Sequence, residues 1–141
     1  MSDFLNTIGL VAVATVFGSI VFFSAVVAPL TFVKLDKETA RNFIRSIFPW
    51  YYLLLGVFSL VAFVVLAFNK LDIAALMGIV LIGACISRQI LMPNINKQRD
   101  RQLAGDAHAE NSFNRLHRYS VLINFSQMII ALYALISFAV W

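Results

Sequence analysis

The stretch "FLNTIGLVAVATVFGSIVFFSAVVAPLTFV", Phe4 to Val33, runs for 30 residues without a charged side chain. About 20 mostly apolar helical residues cross the hydrocarbon core of a bilayer, so this stretch alone predicts a membrane-spanning helix. Three further runs lack charge: Ser46 to Asn69, Ile73 to Ser87 and Tyr119 to Trp141. The third reaches spanning length only when Arg88, Gln89 and Ile90 to Met92 are included, which puts Arg88 near one membrane face.

The composition agrees. With 141 residues, 61% of them hydrophobic and 13% charged, and a mean hydropathy of +0.85, the chain is one domain lying far outside the range of soluble proteins. The expected fold is all-α, an integral membrane four-helix bundle with a short interfacial amphipathic helix between spans one and two. The spans are placed at about 6–33, 49–69, 72–92 and 118–140, and the basic loops at 34–48 and 93–117. No Lys or Arg precedes the first run, which argues against a cleavable signal. Trp141 is expected at the edge of the fourth span.

Placement of the basic residues predicts orientation. Lys34, Lys37, Arg41, Arg45, Arg88, Lys97, Arg99, Arg101, Arg115 and Arg118 gather on one side, and Lys70 alone lies on the other. By the positive-inside rule both basic loops are cytoplasmic and both termini are outside, as in a bacterial inner membrane protein. The net charge of +4 is therefore a topology signal, and short loops supply no folded basic face for nucleic acid. A single cysteine, Cys85, excludes an intrachain disulfide or a CxxC pair.

Between spans one and two, Asp36 is placed to cap a helix in which Ala40, Phe43, Ile44, Ile47 and Phe48 share a face. This segment is predicted to lie at the headgroup boundary with Arg41 and Arg45 toward water, ending at "FPWYY" (Phe48 to Tyr52). There Pro49 suits a first helical turn, and Trp50, Tyr51 and Tyr52 suit an aromatic belt. After Pro93 the polar "NINKQRDRQLAGD" (Asn94 to Asp106) reads as a linker, with Asp106 capping a helix from Ala107. "FIR" (Phe43 to Arg45) and "FNR" (Phe113 to Arg115) hint at a duplicated hairpin.

The polar residues inside the last span carry the functional question. In "FNRLHRYSVLINFSQ" (Phe113 to Gln127), His117, Ser120, Asn124 and Gln127 fall within about an 80° arc, an orientation that is costly toward lipid. They serve either as interhelical glue or as a ligand site. Arg88 is the expected partner, either snorkelling to the headgroups or hydrogen-bonding Asn124 or an anionic ligand. Gly18 and Ser19 are expected to allow close helix approach, and Pro29 to kink span one at the same depth. No Asp or Glu lies in the interior of a span, Asp72 standing at the very end of the third, and no Ser/His/Asp set, HExxH or phosphate loop is present. Carboxylate-coupled export and the familiar hydrolytic mechanisms are thereby excluded, and His117 is left as the sole candidate base. No cofactor is expected. The alternative is haem held by His117 with Met92 or in a dimer, or copper held by Cys85, Met92 and His117.

Taken together, "GSIVFFSAVVAPLTF" (Gly18 to Phe32), "IFPWYY" (Ile47 to Tyr52) and "FNRLHRYSVLINFSQ" resemble small bacterial membrane proteins classed as a domain of unknown function, related to the transmembrane protein 205-like proteins. The resemblance implies a four-helix membrane domain akin to the copper-resistance-D-like superfamily, with no defined activity. Its motif positions fall on Pro29, Phe48, Pro49, Tyr51, Tyr52, Arg88, Phe113, His117, Ser120 and Asn124. The expectation is a polar pocket near the cytoplasmic leaflet formed by Pro29, Arg88, His117, Ser120, Asn124 and Gln127. It would bind a small molecule or lipid headgroup, or mark an accessory subunit of a membrane complex. Expected partners are membrane lipids and either a second copy or a larger complex.

Overall fold

A computed structural model describes residues 2–140; the expected position of Trp141 lies outside them. Among the described residues, four helices are long and apolar enough to cross a membrane. Helix α1 comprises Ser2–Phe22, a π-helical turn at Phe23–Val27 and Ala28–Lys34; α2 is Lys37–Leu66. Helix α3 comprises Leu71–Ile86, a second π-helical turn at Ser87–Leu91 and Met92–Leu103; α4 is Ala107–Val140. Helices α1 and α3 each pack on both α2 and α4, giving an up-down-up-down bundle.

Asp36 caps α2 as its sequence suggests, its carboxylate accepting from the backbone N–H groups of Glu38 and Thr39 at 3.0 Å. The amphipathic segment then runs without a break through Pro49 into the second span. Proline removes one backbone donor, but Ile44, Ile47 and Phe48 before it and Tyr51, Tyr52 and Leu55 after it pack on the same core. Burial on both sides of the proline holds the helix together. That inward stripe continues through Ser59, Ala62 and Leu66.

The polar stretch after Pro93 is likewise helical as far as Leu103, so the linker shrinks to Ala104, Gly105 and Asp106. Gly105 takes a φ of 95°, which lets the Asp106 N–H reach the Arg101 carbonyl at 3.1 Å and close the end of α3. Asp106 then caps α4 through the His108 N–H at 3.0 Å. The basic loop expected at 93–117 is thus a helical hairpin, because Met92 and Ile95 on α3 and Ala109 on α4 are buried in it.

The two π-helical turns occupy matching places. Each ends two residues before a proline, Pro29 in α1 and Pro93 in α3. The residue preceding each proline bonds five residues back, Ala28 N–H to Phe23 O and Met92 N–H to Ser87 O. The wider turn accommodates the ring that an α-helical turn would crowd. This shared device, alongside the two Phe-x-Arg segments, is a further likeness between the hairpins.

Close helix approach falls at glycines other than the one expected. Gly18 is exposed, with no atom within 4 Å of where a Cβ would stand. Gly9 packs against Leu66, Gly78 against Phe63 and Gly83 against Gln127. Ala12, Val13, Val16 and Ile20 continue the buried face of α1. Ile73, Ala74, Met77 and Val80 supply that of α3, and Ala131 and Ala134 extend that of α4.

Candidate functional site

The polar residues of α4 separate according to their distance from its buried seam. Ser120 and Gln127 lie on the seam, 6% and 2% exposed, whereas Asn124 flanks it and His117 faces outward. The Gln127 amide donates to the Val80 carbonyl of α3 at 2.9 Å, an approach that Gly83 makes room for. The Ser120 hydroxyl donates to the His117 carbonyl of its own helix at 2.9 Å.

Asn124 is the centre of a cross-bundle network. Its Oδ1 accepts from the Tyr51 hydroxyl of α2 at 2.6 Å, and its Nδ2 donates to Ser24 Oγ of α1 at 3.2 Å. Tyr51 stacks on Phe23 with centroids 4.5 Å apart, and Phe48 and Tyr52 complete the aromatic cluster. Of the expected aromatic belt, only Trp50 is at the surface; Tyr51 and Tyr52 are buried. Their spacing from Phe48 and Leu55, at i+3, i+4 and i+7, is the core signal that could have identified them.

Arg88 does not hydrogen-bond Asn124. The guanidinium is half-buried, and its Nε donates to the Pro49 carbonyl of α2 at 3.1 Å. Its terminal nitrogens make no hydrogen bond among the described residues, and Arg88 lines an open groove of about 650 Å³ between α2 and α3. Arg45, Met92, Lys97, Asp100 and Arg101 also line this groove. Pro29 is exposed and hydrogen-bonds none of the other pocket residues. The structure therefore does not gather the expected pocket residues: Asn124 joins an interior network, Arg88 a basic groove, Gln127 and Ser120 bond elsewhere along the seam, and Pro29 and His117 face outward.

Further stacking occurs on the polar hairpin. The Arg99 guanidinium lies 3.7 Å from the centroid of Phe113, whose ring stacks on His117 at 5.8 Å. Cys85 is exposed and Met92 buried, because the intervening π-helical turn shifts the register that would have put them on one face. Among the described residues no three of His, Cys, Asp and Glu are grouped to hold a metal.

Electrostatics in the groove are uneven. The Arg45 guanidinium forks onto Asp100 at 2.7 and 3.0 Å, and Arg101 holds Asp106 at 2.6 Å. Hydrogen bonds from Arg45 hold the Asp100 carboxyl below its usual range. A lowered folded pKa makes the pair stabilising above the unfolded value, near 3.9, and lost as pH falls through the folded one. Arg45→Gln is accordingly expected to lower stability slightly at neutral pH, because the pair is exposed and screened, and progressively less as the Asp100 carboxylate protonates in acid. Detergent unfolding of both chains across that range checks it; an undiminished difference at low pH would refute the assignment.

Residues 11–103, about two thirds of the chain, match a family model described as Domain of unknown function (DUF4149). No curated protein and no solved structure matches significantly.

Proposed function

We propose, for a chain that belongs to the DUF4149 family, that this small membrane protein binds an anionic lipid headgroup in the groove between α2 and α3. One observation carries the reading: Arg88 spends only its Nε on the protein, and it lines, together with Lys97, a groove in which neither side chain has an ion-pair partner among the described residues. Unspent guanidinium donors suit phosphate oxygens, which they bind in a planar, two-pronged geometry. A basic pocket between transmembrane helices on the cytoplasmic side is a recurrent setting for anionic headgroups.

The positive-inside bias supports placing this end of the bundle at the cytoplasmic leaflet of a bacterial inner membrane, with both termini opposite. The motif likeness to transmembrane protein 205-like proteins agrees with a membrane domain and adds no ligand. A haem or copper role would rest on His117, Met92 and Cys85, and no observation favours it. A second copy or a larger complex would find the apolar outer face of α4 at Val121, Phe125 and Ile129, which is also the face that suits lipid.

Delipidated protein in mild detergent is expected to bind phosphatidylglycerol at least about tenfold more tightly than phosphatidylcholine, a difference of about 1.4 kcal/mol. Arg88→Gln should remove most of that preference. Native mass spectrometry measures both, and equal binding of the two lipids by the wild type would overturn the reading.

A further inference from the structure

We infer that the groove takes a lipid headgroup carrying two phosphates, one on Arg88 and the other on Lys97; this deepens the anionic-headgroup reading and rests on it. Nine positions separate the two cations on α3, or roughly 13 Å of helix rise. Arg88 enters at the π-helical turn, half-buried, whereas Lys97 is exposed near the outer end. Both residues line the groove.

The other two cations lining the groove are committed to carboxylates, Arg45 to Asp100 and Arg101 to Asp106. Two unpaired cations at two levels therefore remain, and a headgroup with one phosphate satisfies only one of them. The volume of about 650 Å³ also exceeds what a lone phosphate fills and lies in the range of about 300 to 1,000 Å³ that suits larger ligands. Lipid is favoured over a soluble diphosphate by what adjoins the groove. From Pro49 toward the apolar half of α2, Leu53, Val57 and Leu60 form an exposed track at i, i+4 and i+7, where acyl chains would lie.

The test compares diphosphatidylglycerol, phosphatidylglycerol, phosphatidylcholine and inorganic diphosphate on the full chain in mild detergent, read by native mass spectrometry. Wild type is expected to hold diphosphatidylglycerol at least tenfold more tightly than phosphatidylglycerol. Lys97→Gln should bring the two to within about twofold while leaving phosphatidylglycerol affinity unchanged. Arg88→Gln should weaken both, with Arg88→Lys restoring part of the loss, and Arg115→Gln, outside the groove, should change neither. Equal wild-type affinity for the two anionic lipids, or a preference that survives Lys97→Gln, overturns the two-phosphate assignment and leaves the anionic groove standing. Inorganic diphosphate displacing the lipid at equal concentration overturns the lipid source. Anionic lipids binding no better than phosphatidylcholine would remove the underlying reading as well.

Discussion

Asn124→Leu is expected to destabilise the bundle by about 1 to 3 kcal/mol, because it leaves the buried Tyr51 hydroxyl without its acceptor at 2.6 Å. The magnitude follows from the asymmetry of hydrogen bonding: forming such a bond between membrane helices contributes only about 0.6 to 1.7 kcal/mol, whereas stranding one partner adds its desolvation cost. Tyr51→Phe should cost less, because Asn124 keeps its bond to Ser24. The double variant should cost less than the sum of the singles by about 1 kcal/mol, since it leaves no orphan between the two positions. Ser137→Leu provides the comparison. That hydroxyl bonds the Tyr133 carbonyl within its own helix, so its loss should fall within about 0.5 kcal/mol. Reversible unfolding in mixed detergents gives all four values. Strictly additive losses at Tyr51 and Asn124 would show that this bond does not tie α2 to α4.

Gly9→Leu is expected to have an effect of similar size for a different reason. A Cβ on Gly9 would stand 2.4 Å from Leu66 Cδ2 and 2.7 Å from its Cγ, and Leu66 is fully buried. Relief requires α1 and α2 to separate or Leu66 to leave its rotamer, and overpacking of this kind costs about 1 to 3 kcal/mol. Shortening the neighbour restores the volume, so Gly9→Leu combined with Leu66→Ala should recover much of the loss. Gly18→Leu, with open space around it, should be nearly neutral. If Gly18→Leu proved as harmful as Gly9→Leu, the α1–α2 contact would have to be placed elsewhere.

At Asn124 and Gly9 the neighbouring helix matters more than the sequence around the residue. Gly18, beside Ser19, has the small-residue pattern of a packing site, yet it faces outward, while Gly9 carries the contact. The same division holds for the aromatic run. Trp50 is exposed, and Tyr51 and Tyr52, which a belt would put beside it, turn into the core and link α2 to α4.

What the sequence determined by itself was the four-helix membrane fold, the caps at Asp36 and Asp106, and the gathering of basic residues toward one end. These follow from properties that accumulate along the chain: runs of apolar residues long enough to span, side chains that bond their own nearest N–H groups, and charges excluded from the runs. Tertiary structure decided which polar groups meet. Asn124 reaches Tyr51 and Ser24, and Arg88 turns to Pro49 and the groove, according to the rotation of each helix about its axis. The π-helical turns alter that rotation. One residue more in a turn moves every later side chain by about 100°, so periodicity counted across Phe23–Val27 or Ser87–Leu91 assigns the wrong face. Cys85 and Met92, seven apart across the second turn, end up outside and inside for that reason.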